Sequence, residues 1–412
     1  MSEASYRYLI LGGGMVAGYA AKEFVAQGGK PGDLGIVSAD SDLPYERPPL
    51  SKSYLAGKDD DASVLIEKAA FYREHAIDVR LNTPIERVEL KGKLLKGRAG
   101  DSFRFETLVI ATGARVRTLE CPGATLDGVL YLRSLNDSRA IRKHLDSGKR
   151  AVIIGSGFIG MEVASQCAQK GLQTTLVFPE DRVGKRVFSP EISAFFQKYY
   201  QDRGVRLMDG KKVASIEGKE RVEAVTLDSA ERVPADMVIA GIGVVPETSL
   251  FENSGLKIDN GIVVNQYLET NTEGVLAAGD VANYMDVLFG KQRRVEHWDN
   301  ATKQGQYAAG RLLGQREAFR NVPYFFSDVF DLSYEYWGDS TGADRVVHRG
   351  DMKSSSFSAW WMRDGRVVAA FVMNRPDDER NAAQKWIEEK AHVRWEGLAD
   401  ANRGVNEAEQ AR

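Results

Sequence analysis

The chain has 412 residues, of which 27% are charged and 43% hydrophobic, and its 55 Lys and Arg against 58 Asp and Glu leave a formal net charge of −3. That length supplies cores for two or three domains, and the near-even charge balance excludes the polybasic footprint of a nucleic-acid binder. No apolar run reaches the roughly 18 residues of a membrane-spanning helix, and the N-terminus enters a strand with no secretory leader before it, so a cytoplasmic location is expected.

In chain order, the first predicted elements are a strand from Tyr6 to Leu11, the turn Gly12-Gly13-Gly14-Met15-Val16-Ala17, a helix over Met15–Gln27 and a strand over Leu34–Ser38. Gly12 permits a sharp turn, Gly14 lets backbone approach a pyrophosphate with no Cβ in the way, and Ala17 permits close packing of helix on strand. The helix N-terminus then offers its amides, and the positive end of its dipole, to the phosphates. A second copy follows: a strand from Ala151 to Ile154, the turn Gly155-Ser156-Gly157-Phe158-Ile159-Gly160, a helix from Phe158 to about Lys170 and a strand from Gln173 to Val177. One such turn also joins strand to helix for steric reasons alone. Two copies, each in its own βαβ unit, point to two bound dinucleotides, one feeding electrons to the other.

Further strands are predicted at Leu108–Ala111, Met237–Ala240 and Val275–Ala278, with a helix over Glu191–Asp202. This alternation, from residue 6 to about 320, is the pattern of parallel-sheet α/β domains. From about Pro323 the character changes. Aromatics crowd Tyr324-Phe325-Phe326, Tyr334 to Trp337 and Trp360-Trp361, with strands around Ser355–Met362 and Val367–Met373 and a helix from Glu379 to about Ala391. This part reads as a third, α+β domain, and the last dozen polar residues are expected to fray.

Three further stretches stand in order along the chain: Pro44-Tyr45-Glu46-Arg47-Pro48-Pro49-Leu50-Ser51-Lys52, Ala111-Thr112-Gly113 and Ala278-Gly279-Asp280-Val281. With the two glycine turns, they make the chain resemble the flavin-dependent ferredoxin and rubredoxin reductases, the apoptosis-inducing-factor family and monodehydroascorbate reductase, over nearly its whole length. The resemblance implies an α/β fold with two Rossmann-like dinucleotide-binding domains and a smaller α+β C-terminal domain. The FAD domain would be discontinuous, 1–116 and 247–320, with an NAD(P) domain at 117–246 between its halves and the C-terminal domain at 321–412.

Carried over motif by motif, Gly12, Gly14, Val16, Ala17, Arg47, Lys52, the backbone around Ile85, Ala111, Thr112, Gly113 and Arg133 would contact FAD. Asp280 would accept a hydrogen bond from a ribityl hydroxyl, and Glu296, His297 and Trp298 would lie at the pyrimidine end of the isoalloxazine. Gly155, Gly157, Phe158, Ile159, Gly160, Glu180, Arg186 and Gly243 would border NAD(P). Simpler roles exist for several of these. Arg47 could be a solvated turn charge beside a stiff Pro48-Pro49 loop, Asp280 could cap a following helix, and His297 and Trp298 could be packed core. His297 has no second ligand at a useful spacing, so no metal is expected.

Glu162 is placed in the first turn of the second nucleotide helix, where an acid could simply complement the dipole, worth about 0.3–1 kcal/mol. The resemblance instead implies a catalytic pair of Glu162 with Lys52 beside the flavin N5. Two departures from the family pattern matter. Where relatives carry an acid for the FAD ribose this chain has Ala39, and the neighbouring Asp40 could take over. In the second unit the usual strand-end acid is Phe178, followed by Pro179-Glu180-Asp181-Arg182. Glu180 would accept the adenosine ribose hydroxyls and favour NADH, whereas Arg182, Lys185 and Arg186 could attract the 2′-phosphate of NADPH; NADH is the expectation.

The two cysteines, Cys121 and Cys167, form no CxxC pair and read as small packed residues. With no redox dithiol, electrons would leave the flavin directly for an outside acceptor. The resemblance implies a ferredoxin- or rubredoxin-type carrier first and the ascorbyl radical second. Against the second, the substrate arginine of the plant enzymes falls at Thr302, and their substrate-side tyrosine at Trp337. A third reading is a slow redox-sensing flavoprotein like apoptosis-inducing factor.

Overall fold

The computed structural model describes residues 3–409. Its longer helices are α1 (Met15–Ala26), α2 (Leu135–Ser147), α3 (Phe158–Gln169), α4 (Pro190–Gln201), α5 (Trp298–Leu312) and α6 (Asp377–Glu389). None of the described helices is long and apolar enough to cross a membrane. The chain divides into two compact units, one of residues 1–47, 60–115 and 244–321, the other of 48–59, 116–243 and 322–412.

The first unit is built on a mixed sheet whose centre is parallel. Glu3–Leu11 pairs in parallel with Leu34–Val37 on one side and Ser102–Ile110 on the other. Asp78–Arg80 extends one edge, and Val275–Ala277 joins Ser102–Ile110 in parallel. The central strands are apolar on both faces, with Leu9, Ile10, Leu108, Val109 and Ile110 all buried to 0% exposure, as a sheet covered on both sides requires. The helix α5 lies close on α1 because Gly305 has no side chain: a Cβ there would stand 2.7 Å from the Val16 carbonyl oxygen.

The second unit holds a five-stranded parallel sheet, in the order Arg206–Met208, Gln173–Val177, Arg150–Ile154, Met237–Ala240, Val129–Tyr131. Helices α2, α3 and α4 belong to it. The helix α2 begins on a reciprocal cap: Ser134 accepts from the Asp137 amide at 3.1 Å while the Asp137 carboxylate accepts from the Ser134 amide at 2.7 Å. The C-terminal part is a five-stranded antiparallel sheet, Tyr324–Val329, Leu332–Gly338, Arg366–Met373, Ser356–Arg363, Arg345–Asp351. The helix α6 packs on it through Ala382, Ala383 and Trp386, whose ring centre lies 5.4 Å from that of Trp360.

The expectation of a frayed tail is corrected as far as Glu409. Val405 and Ala408 are buried, the Arg394 amide donates to the Ala408 carbonyl at 2.9 Å, and Lys385 and Trp386 both donate to Glu409 at 3.0 Å. A buried arginine explains the order. The Arg349 side chain, 3% exposed, donates to Glu379 at 2.8 Å, to the Leu398 carbonyl at 3.2 Å and to the carbonyls of Asp400 and Arg403. Composition hides such a tether, since the donors that hold the tail lie far upstream of it. Residues 410–412 lie outside the described chain.

Candidate cofactor sites and the buried ion pair

In the first unit Gly12 has φ +121°, and a Cβ on it would sit 2.2 Å from the Ala111 carbonyl oxygen, so turn and Ala111-Thr112-Gly113 loop can touch only with glycine there. Gly14 is the N-cap of α1 and offers no side-chain acceptor to the first-turn amides. A Cβ at Gly14 would meet one thing within 4 Å, the Arg47 Nη2 at 3.7 Å. Arg47 is half-buried and its guanidinium lies over the Tyr45 ring at 4.8 Å, so it is not a freely solvated turn charge. First-turn amides without a side-chain cap, with an arginine beside the turn, are the kind of donor set that a pyrophosphate needs.

Val16 and Ala17 are buried beneath this turn, and Gly279 closes on Val16: a Cβ at Gly279 would stand 2.6 Å from Val16 Cγ2. Thr112 donates to the Glu247 carbonyl at 2.8 Å and the Gly113 carbonyl accepts from the Glu247 amide at 2.9 Å. Asp280 does not cap a helix. It sits inside the short turn Gly279–Val281, and the strand Ala282–Asp286 follows, so that simpler reading is corrected. Asp40 accepts from the Tyr45 hydroxyl at 2.9 Å and from the Asp42 amide at 3.3 Å, while Ala39 is exposed. The Ile85 segment is drawn to the same strand end by Asn82 donating to the Asp40 carbonyl at 2.9 Å and Thr83 to that of Ser38 at 2.7 Å.

Glu296 is exposed and paired with Arg294, which also donates to the Asp280 carbonyl at 3.3 Å. His297 is the N-cap of α5, its Nδ1 accepting from the Asp299 amide at 3.3 Å. Trp298 donates to Glu46 at 2.5 Å, and the Tyr19 hydroxyl donates to the other Glu46 oxygen at 2.5 Å. Glu46 thus ties the arginine loop to α1 and α5. No local pattern marks this role, because its partners are 27 and 252 residues away.

The second unit repeats the turn. Gly155 has φ +102° and a Cβ there would lie 2.4 Å from the Gly241 carbonyl oxygen; one at Gly160 would lie 1.9 Å from the Gly155 carbonyl oxygen. Gly157, the N-cap of α3, has φ −75° and nothing within 4 Å of its Cβ position. It is exposed, as is Ile159 at 42%. This is an open cradle over uncapped amides, whereas α2 and α4 are capped by Ser134 and Ser189 side chains. Gly241 closes on the turn, a Cβ there standing 3.3 Å from the Gly160 nitrogen, and Gly243, two residues on, has φ +98°. The Phe178 side chain is wholly buried, Lys185 is paired with Asp181 at 3.0 Å, Arg182 donates to the Phe188 carbonyl at 3.5 Å, Glu180 is half-buried and Arg186 is exposed.

The same unit brings Lys52 and Glu162 together. Lys52 Nζ lies 2.7 Å from Glu162 Oε1, with side chains 13% and 3% exposed. The Ser327 hydroxyl donates to Oε1 at 2.6 Å, and the Ser51 hydroxyl donates to Oε2. Lys52 also lies 5.3 Å from the centre of the Phe326 ring. Glu162 is the fifth residue of α3, in its second turn rather than the first, so the dipole reading is corrected. Its partners are side chains. Arg133 precedes the cap of α2, its amide donating to Asp137 at 3.0 Å. Trp337 is 6% exposed, its ring centre 5.3 Å from that of Tyr324. Thr302 is buried in α5.

Neither cysteine is disulfide-bonded. Burial pushes the Cys167 thiol up to about 12, and the half-buried Cys121 is raised by the same cause. Neither is a thiolate at neutral pH, the state that disulfide exchange demands.

Comparison with known proteins gives the chain's family. The family described as "Pyridine nucleotide-disulphide oxidoreductase" matches residues 6–305, and the "Reductase C-terminal" family matches residues 324–408. Monodehydroascorbate reductase 4, peroxisomal, of Arabidopsis thaliana is 36% identical across 94% of this chain and 83% of its own. The ferredoxin reductase for the CYP199A2 system of Rhodopseudomonas palustris superposes with a TM-score of 0.93 at 34% identity, covering 98% of this chain and 99% of its own. The reductase in a covalent putidaredoxin reductase–putidaredoxin complex gives 0.93 at 31%, covering 97% of both. The two glycine cradles fit the pyrophosphates of FAD and NAD(P)H, and the chain belongs to the FAD-dependent pyridine nucleotide oxidoreductase family, as an FAD-dependent NAD(P)H oxidoreductase.

Proposed function

We propose that this protein is an NADH-dependent reductase of a ferredoxin- or rubredoxin-type electron carrier. The supporting observation is the match, at a TM-score of 0.93 and over 98% of the chain, to a ferredoxin reductase. In this reading residues 1–116 and 247–320 hold FAD, residues 117–246 hold the nicotinamide nucleotide, and 321–412 form the C-terminal domain. The chemistry supplied by bound FAD would be hydride acceptance and onward electron transfer. The chain's own residues would bind and orient each cofactor. Gly157 and the α3 amides seat the nucleotide pyrophosphate, Arg47 faces that of FAD, and Lys52 with Glu162 supplies the fixed charges where the hydride moves.

NADH is favoured over NADPH because two of the three candidate cations are already engaged, Lys185 by Asp181 and Arg182 by a carbonyl, while Glu180 repels a 2′-phosphate. A second reading, reduction of a small radical, is favoured by the 36% identity to a monodehydroascorbate reductase. Buried Thr302, however, puts no cation where those enzymes use an arginine. The test is steady-state turnover with NADH against a panel of ferredoxins, rubredoxins and the ascorbyl radical. Saturable reduction of an iron–sulfur carrier with the radical slower supports the proposal; rapid radical reduction with no carrier turnover replaces it with the second reading.

A further inference from the structure

The Glu162 carboxylate has more donors than an ion pair requires. Lys52 lies 2.7 Å from Oε1, Ser327 donates to that same oxygen at 2.6 Å, and Ser51 donates to Oε2. Both hydroxyls donate to the carboxylate, and the Ser51 hydroxyl also lies 3.4 Å from the Pro48 carbonyl oxygen, a longer contact than the one it makes to Glu162. At 3% exposure, little water is at hand to replace a missing donor.

The two serines come from different elements. Ser51 ends the short turn Pro48–Ser51, whose Leu50 carbonyl accepts from buried Ser138 of α2 at 2.8 Å. Ser327 sits on Tyr324–Val329, an edge strand of the C-terminal sheet. On that strand Phe326 lies 5.3 Å from the Lys52 ammonium, and Phe325 packs at 4.2 Å on Phe158, the first residue of α3. One C-terminal strand therefore touches both members of the pair and the start of the nucleotide helix.

We infer that Ser327, together with Ser51, is a positioning residue for hydride transfer. The two hydroxyls fix the direction of the Glu162 carboxylate, and that direction sets where the Lys52 ammonium stands; through Ser327 the C-terminal sheet holds the catalytic pair. The inference rests on the role proposed above for Lys52 and Glu162.

Ser327→Ala leaves Lys52 and Glu162 in place and removes one charge-assisted donor. The expected result, by stopped flow with NADH, is flavin reduction slowed about tenfold with the NADH dissociation constant unchanged. In the FAD-loaded enzyme without NADH, acetylation of Lys52 by acetic anhydride, followed by mass spectrometry, is expected to rise several-fold. Ser327→Thr, which keeps the hydroxyl, is expected to restore both readouts. Parent-like reduction and parent-like labelling in the Ser51→Ala/Ser327→Ala double variant, with Glu162→Gln slow, would overturn the inference and leave the pair's role standing. Failure of Ser327→Thr to rescue would overturn it too, since packing alone would then explain the alanine variant. Parent-rate reduction in Glu162→Gln and Lys52→Ala would remove the pair's role in hydride transfer and the inference with it.

Discussion

Gly157→Ala separates nucleotide binding from folding. The residue has φ −75° and ψ −179°, extended backbone that alanine adopts without strain, and its Cβ position has no heavy atom within 4 Å. The folding cost is that of alanine at an N-cap, about 1 kcal/mol at most, or roughly 2–4 °C in melting temperature for a unit of this size. The new methyl would fill the space in which we place the pyrophosphate. Displacing it forfeits at least one charge-assisted amide bond, worth about 1.5–3 kcal/mol, so the NADH dissociation constant should rise roughly ten- to a hundredfold. Isothermal calorimetry on the oxidised enzyme with NAD⁺, and stopped-flow reduction with NADH, read this directly, while FAD content should match the parent. Gly160→Ala is the contrast: its Cβ would lie 1.9 Å from the Gly155 carbonyl oxygen, so the turn itself must shift and stability should fall with binding. Parent-like NADH affinity in a well-folded Gly157→Ala would refute the assignment of this helix end to the nucleotide.

Other consequences are equally open to measurement. Burial pushes the Glu379 carboxyl up, but bonds from Arg375, Ser358 and Arg349 outweigh it and hold the group below its ordinary value of 4.5. A depressed folded value adds stability that is complete above the unfolded value and lost as pH falls through the folded one. Denaturant melts should therefore show the parent losing stability below about pH 4.5, with Glu379→Gln less stable at pH 7 and flatter in acid. A flat parent curve down to pH 3 (a window of roughly 1.5 units) would contradict this. Iodoacetamide at pH 8 should spare native Cys167, and a Cys121→Ser/Cys167→Ala variant should pass electrons to the carrier at the parent rate; a loss of electron transfer would contradict direct exit from the flavin. Glu180→Ala should lower the NADH-to-NADPH ratio of kcat/KM about tenfold, and an unchanged ratio would free that residue from any part in nucleotide choice.

Local chemistry was legible in the sequence, and long-range chemistry was legible only through resemblance. The glycine turns were readable because their glycines stand within six residues of one another, even though the atoms that crowd Gly12 and Gly155 belong to distant loops; the strands and helices on either side begin and end close to where apolar periodicity puts them. The Lys52–Glu162 pair joins residues 110 apart and came from the family pattern. Ser51 and Ser327 carry no signature of their own, since a serine that donates to a buried carboxylate looks like any turn serine. The helix α5 was hidden because its buried face includes Asn300, Thr302, Gln304 and Gly305, which break the apolar stripe. The order of the tail is hidden for a similar reason: its anchors are Arg349 and Glu409, charged residues that composition assigns to solvent.

The central claim is that this polypeptide holds FAD and accepts hydride from a nicotinamide nucleotide. Anaerobic titration of the purified protein with NADH, followed by absorbance, tests it most directly. The yellow flavin bands should bleach stoichiometrically with NADH and return on addition of an oxidised iron–sulfur carrier. A protein that stays colourless after reconstitution with FAD, or whose flavin spectrum is untouched by NADH and NADPH alike, would contradict it.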